Sequence, residues 1–259
     1  MRSTVKQCAI GLVALASILI GCTEPVADTA TTSYTITGIH DTRTNADTLK
    51  WHEAEAFELV NFPIIEDNLK HDTLLVQVTF DLGDGTFVMV ASHQEGSFEG
   101  LRLYRYRVDP QGAVNMLAVS SPAYDSWTLL PTFFRKAVDP STLIVLANFG
   151  EKQSWGQKAM ILDEQGFKDL RFLDVALPRV VQEVDSTYIK LVGAGPRARI
   201  IETDQGLTFE FAGDSLFLFD DLRGHQDTIV AAKDVRYELA GGELRFVLNG
   251  KPIVVPQPS

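Results

Sequence analysis

Val235-Arg236-Tyr237-Glu238-Leu239-Ala240-Gly241-Gly242-Glu243-Leu244-Arg245-Phe246-Val247-Leu248-Asn249-Gly250 is the stretch that decides the fold class. Val235, Tyr237 and Leu239 alternate with polar residues, and Leu244, Phe246 and Leu248 repeat the two-residue period. That period puts one side-chain set on one face of a strand. Gly241-Gly242 and Asn249-Gly250 supply the positive φ that two-residue hairpin turns need. The stretch predicts an antiparallel meander over about 234–255.

The same grammar extends back to Tyr34. Apolar runs such as Leu74–Phe80 and Leu143–Ala147 are separated by turn segments: Asp81–Gly85, Asp109–Gly112, Asp163–Gly166 and Asp204–Gly206. Short strands with frequent turns predict an all-β domain. Only 47–57 reads as a possible short helix.

The body also repeats. Thr86–Ala91 aligns with Thr142–Ala147 at an offset of 56, which also pairs Glu95 with Glu151 and Gly100 with Gly156. After a two-residue slip, Asp109–Gly112 pairs with Asp163–Gly166. Gln205-Gly206 follows 40 residues later, between Arg199-Ile200-Ile201 and Leu207–Phe211, with Gly193-Ala194-Gly195-Pro196 as a shorter loop. Units of this length, each strand, loop, strand, Gly turn, strand, resemble propeller blades. The expectation is propeller-like repeats of short antiparallel strands, with a β-sandwich or barrel as the alternative.

Composition agrees with a globular body. The 259 residues are 45% hydrophobic, 22% charged and 9% aromatic. These values exclude collagen-like, multi-span and mostly disordered chains. A formal charge of −11 makes the chain a poor partner for nucleic acid.

The first 22 residues address the protein. Arg2 and Lys6 form a positive start, and Ala9–Ile20 is an apolar run of 12 residues. As a helix it would rise about 18 Å, short of a hydrocarbon core of about 30 Å, which fits a secretory signal. The run ends in Leu19-Ile20-Gly21-Cys22, which resembles the lipobox of bacterial lipoproteins. The resemblance implies cleavage before Cys22, lipid on its thiol and acylation of the new N-terminus. Thr23 in place of Asp implies the outer membrane, by the sorting rule of enteric lipoproteins. The organisation expected is a signal peptide over 1–21, a lipidated tether over 22–33 and a single β domain over 34–259. Loss of Arg2 and Lys6 with the leader takes the charge from −11 to −13. Eleven small, polar tether residues reach roughly 18 Å, which keeps the body near its membrane. Cys8 leaves with the leader and Cys22 carries lipid, so no disulfide is available to the body.

Candidate sites are few. Asp81-Leu82-Gly83-Asp84-Gly85 resembles the calcium loop of FG-GAP propeller repeats, but Gly83, Gly85 and Met89 stand where oxygen ligands belong. It reads as a turn. His40, His52, His71, His93 and His225 have no metal-ligand spacing, and no metal or cofactor is expected. No catalytic motif occurs: there is no GxSxG elbow and no P-loop. In Leu101–Arg107, alternation puts Arg102 on one strand face with Tyr104 and Tyr106, and Arg105 with Arg107 on the other. Arg beside aromatics holds anions or stacks on rings and sugars. The loops Ala91–Gly100 and Ala147–Gly156 are polar and carry Phe98 and Trp155 as aromatic anchors, with Glu95 and Glu151 at matched positions. Polar loops with an aromatic anchor on a rigid scaffold are a recognition design. Phe98, Trp155, Glu95, Glu151, Arg102 and Arg105 are the ligand-contact candidates, and Cys22 the lipidation site.

Three functions follow. The first is a lipid-anchored, non-enzymatic binding or scaffold module that meets the membrane through Cys22 and takes an envelope protein or glycan. The second is an envelope hydrolase or lyase acting on glycans or peptides, with Glu95, Glu151 and Asp125 as first suspects. The third is a purely structural surface lipoprotein.

Overall fold

The computed structural model describes residues 57–66, 74–93, 100–123, 129–150, 155–219 and 228–253, all within one compact unit, Thr44–Ser259. Among them are nineteen strands and two 3-10 turns. The chain is all-β, in four antiparallel sheets, none closed on itself. No helix among the described residues is long and apolar enough to cross a membrane. Phe57, the last residue of the expected helix, opens a strand, and 47–56 lie outside the described residues.

The chain begins with β1 (Phe57–Val60) and β2 (Ile64–Ile65). A first sheet follows from β2 through β3 (Leu74–Asp81), β4 (Phe87–His93), β5 (Arg102–Val108) and β6 (Val114–Val119), in that spatial order. The second sheet places β1 beside β7 (Leu129–Lys136), then β8 (Leu143–Gly150), β9 (Trp155–Asp163) and β10 (Gly166–Leu173). The two sheets correspond strand for strand. The segments aligned at an offset of 56 fall on β4 and β8, each the central strand of five. The aligned Asp–Gly turns join β5 to β6 and β9 to β10. In both, the Asp carboxylate accepts from the chain: Asp109 Oδ1 from the Gln111 and Ala113 amides, Asp163 Oδ1 from that of Gln165.

The third unit departs from this order. Its Gln205-Gly206 turn joins β13 (Ala198–Thr203) to β14 (Gly206–Phe211), as the sequence predicts. The strands around that hairpin do not follow suit. A third sheet has the order β12 (Thr187–Gly193), β11 (Val175–Gln182), β15 (Ser215–Leu218), β16 (Thr228–Ala231). A fourth has β13, β14, β17 (Val235–Ala240), β18 (Glu243–Leu248), β19 (Lys251–Ile253). The chain therefore crosses between the third and fourth sheets, first at 194–197 and again after β14 and after β16. The first crossing is a tight turn pressed on the second sheet. A Cβ on Gly195 would lie 2.6 Å from Thr132 Oγ1, so only glycine fits.

The C-terminal meander forms as its sequence dictates. Gly241 and Gly242 have φ of 59° and 84°, and Asn249 and Gly250 of 52° and 73°, the left-handed pairs of a type I′ turn.

The unbroken apolar runs are explained by burial on two faces. Along β8, Leu143, Val145, Ala147 and Phe149 enter a core shared with Val88, Val90 and Leu103 of the first sheet. Ile144 and Leu146 enter a core shared with Ile200, Phe209 and Tyr237 of the fourth. A strand covered on both sides has no polar face to alternate with. Each large side chain buried this way contributes about 1.5–3 kcal/mol. Packing alone has to hold the described body, which contains no cysteine.

Candidate functional site

Arg105 sits on β5 where the first sheet meets the second. Its Nη1 donates to the Asp163 carbonyl at 2.9 Å, its Nε to Thr86 Oγ1 at 3.3 Å and its Nη2 to Asp84 Oδ2 at 3.2 Å. One arginine thus ties the β3–β4 turn to the β9–β10 turn. Asp84 is locked from its other side, because its Oδ1 accepts from the Thr86 amide at 2.8 Å and hydroxyl at 2.6 Å. Burial pushes the Asp84 carboxyl up. The Thr86 bonds and the Arg105 charge outweigh it and hold the group below its ordinary 3.8. Asp81 Oδ1 likewise accepts from the Gly83 amide. Both carboxylates of the calcium-like loop therefore serve the turn. No group of three or more His, Cys, Asp or Glu among the described residues is placed to hold a metal.

Beside this pair opens a cleft of about 200 Å³, lined by Arg105, Asp84, Phe62, Ser141, Leu162 and Arg135 among others. Arg135 stands on β7, in register with Glu58 on one side and Leu143 on the other. Its guanidinium lies 5.3 Å from the Phe62 ring. Its Nε is buried and has no hydrogen-bond acceptor among the described residues. A buried donor left unmet costs about 1–3 kcal/mol, and charged groups cost more. Arg105 is matched by Asp84, whereas Arg135 stacks on Phe62 and has no carboxylate partner among the described residues. The arrangement can accept an anionic group, with apolar Phe62 and Leu162 beside it for an attached carbon body.

A second cation lies elsewhere in the same inter-sheet interface. Lys158 on β9 is almost fully buried. Its Nζ donates to the Ser121 carbonyl at 2.9 Å, the Pro122 carbonyl at 2.6 Å and Ser121 Oγ at 2.5 Å. Asp169 Oδ1 is 3.5 Å away, and Asp169 also accepts from the Ser121 hydroxyl. The Phe172 ring centroid is 5.6 Å from Nζ. Burial lowers the Lys158 pKa from 10.5, the Asp169 charge and hydrogen bond oppose it, and Arg102 lowers it further. Two carbonyls and the Ser121–Asp169 pair use all three protons of an ammonium, so Lys158 is a strut joining the chain after β6 to the second sheet. A bulge aims its partners. The β9–β10 register slips between Asp169 and Arg171, Arg171 takes φ of 97°, and Asp169 and Phe172 both reach Lys158.

The expected contacts divide. Arg105 lines the cleft. Arg102 does not; its Nη1 donates to the Ser120 carbonyl at 3.1 Å. Tyr104 and Tyr106 are buried in a core on the far face of the first sheet, so they offer no aromatic surface to a ligand. Trp155 opens β9 opposite Gly150, with its side chain outside the described set. Glu95, Phe98, Asp125, Glu151 and Cys22 also lie outside the described residues. The sequence reading missed Arg135 and Lys158. Each had a signal, a cation beside an apolar stretch: Leu129–Phe134 before Arg135, Ala159–Leu162 after Lys158. Comparison with protein-family models, with curated proteins and with solved structures returns no match.

Proposed function

We propose that this chain is a lipid-anchored envelope protein whose β body binds, without catalysis, a ligand that presents an anionic group to the cleft between Arg105 and Arg135. The observation that carries the reading is the buried Arg135 Nε with no acceptor among the described residues, beside an arginine already neutralised by Asp84. A carboxylate or phosphate oxygen would supply the missing acceptor and the second negative charge. The leader ending in Leu19-Ile20-Gly21-Cys22 supports the anchor and the envelope address.

The finer architecture belongs to the same reading. The first two sheets are taken as blade-like repeats, supported by the correspondence of β3–β6 with β7–β10. The crossed third and fourth sheets favour a sandwich-like second half.

The test is thermal denaturation of the full-length chain in detergent, titrated with benzoate and with inorganic phosphate. One or both raise the melting temperature of the parent protein. Arg135→Gln abolishes the rise, and Arg107→Gln, an exposed arginine on the same strand as Arg105, retains it. Equal stabilisation of parent and Arg135→Gln, or none of the parent, defeats the proposal.

A further inference from the structure

β11 pairs with β12 along its whole length but with β15 only through Val175 and Ala176. From Pro178 to Lys190 the hairpin is therefore a two-stranded ribbon that reaches beyond its sheet. Ribbons of two strands are marginal in water unless something covers them. Here Thr187, Tyr188, Ile189 and Lys190 of the outer strand are all exposed, and no described strand pairs with their free side.

The exposed surface is apolar in the wrong places for a solvated arm. Val180 and Ile189 are direct cross-strand partners, 68% and 47% exposed. Tyr188 is 45% exposed and Val184, at the tip, 100%. An unprotected edge with apolar side chains is a template for another strand.

The charges choose the partner. Arg179 and Lys190 face each other across the ribbon, a pair of like charges with no carboxylate bound to either among the described residues. Like charges directly opposite are destabilising. The tip, Glu183-Val184-Asp185-Ser186, carries the opposite sign. Glu183 is occupied by the Tyr188 hydroxyl at 3.1 Å, which leaves Asp185. The ribbon has its cations at the base and its free anion at the tip, so it complements itself when laid antiparallel.

We infer that β12 is the contact of a two-fold dimer, in which a second copy of this chain adds its own β12 antiparallel to the first. With the axis between Thr187 and Tyr188, Lys190 of each copy stands opposite Asp185 in the hairpin tip of the other, and Ile189 opposite Ser186. The two ribbons then meet edge to edge over 185–190, and each contact occurs twice, as a two-fold interface requires. A strand-to-strand contact is smaller than the roughly 800 Å² per partner of a standard interface, so the dimer forms and dissociates reversibly.

Sedimentation of the full-length chain in detergent, over roughly a hundredfold range of concentration, reads this directly. A concentration-dependent dimer is expected. Lys190→Asp alone and Asp185→Lys alone each weaken it about tenfold or more, and the double reversal restores it to within a few-fold of the parent. Far-UV circular dichroism confirms that these exposed changes leave the fold intact. A chain that stays monomeric overturns the inference. So does a dimer indifferent to both reversals but broken by Leu117→Lys on the exposed edge strand β6.

Discussion

Two cations stand between the first and second sheets, Lys158 buried and Arg135 half-buried, and they are treated in opposite ways. Lys158 has every proton placed, on two carbonyls and on the Ser121–Asp169 pair. Arg135 has a buried nitrogen with no acceptor among the described residues and an open cleft beside it. A protein that closes one cation so completely does not leave the other unmet through any general inability to pair charges. The satisfied cation belongs to the architecture. On the proposed reading, the unsatisfied one marks where a ligand completes the structure.

The comparison breaks most sharply at Lys158. Truncation by Lys158→Ala leaves the Ser121 and Pro122 carbonyls without their charged donor. A loss of about 3 kcal/mol is expected in chemical denaturation, since each acceptor left unmet in the interface costs about 1–3 kcal/mol. If Lys158→Ala is neutral, the strut is no strut. Arg171→Gly is expected to stabilise by about 1 kcal/mol, because glycine adopts φ near 97° without strain. A loss instead would mean that the Arg171 side chain holds the bulge that aims Asp169. Arg135→Leu is expected to change stability by less than about 1 kcal/mol in either direction, since an apolar residue of similar reach ends an unmet burial. Its anion response should vanish all the same. Binding without stability at Arg135 and stability without binding at Lys158 would thereby separate the two cations.

Acidity sharpens the same contrast. The Lys158 pKa is lowered in the folded state, so the unfolded chain holds that proton more tightly. Stability contributed through this group therefore rises with pH up to about 10.5 and levels off above it. Subtracting the curve of Lys158→Met isolates the effect. Asp84 acts with the same sign at the acid end of the scale. Its folded pKa lies below 3.8, so its contribution is present above that value and is lost as pH falls through the folded pKa. Asp84→Asn should flatten that acid limb. A limb unchanged in Asp84→Asn would place the acid-sensitive pair elsewhere.

Much of the fold was legible because its determinants are local. Turn chemistry at Gly241-Gly242 and Asn249-Gly250, with alternation between, needs no tertiary context to be read. The correspondence of β4 with β8 was legible for the same reason: both are apolar runs that a threonine opens, Thr86 and Thr142, just after an aspartate-bearing turn. The exchange of strands between the third and fourth sheets was not. Pairing β14 with β17 instead of β15 depends on which sheet offers an edge, and residues 212–234 carry no local mark of that choice. Site residues divided along the same line. Arg105 was found because three arginines interleaved with tyrosines stand out on an acidic chain. Arg135 became conspicuous only once the β1–β2 link, the β3–β4 turn and β5 had brought Phe62, Asp84 and Arg105 around it.

The crossed sheets also bear on how the chain reaches its fold. Every strand of the first two sheets has been made by Leu173, and apart from β1 each joins its neighbour in sequence. The last two sheets finish together or not at all. β13 and β14 wait for β17, while β15 and β16 must first be set against β11. Assembly is thus expected to be fast in the first half and slow in the second, since delayed closure over a longer segment lowers the folding rate. A chain released before Val235 would hold two finished meanders above a half-built pair, with the Phe209 side of its core uncovered.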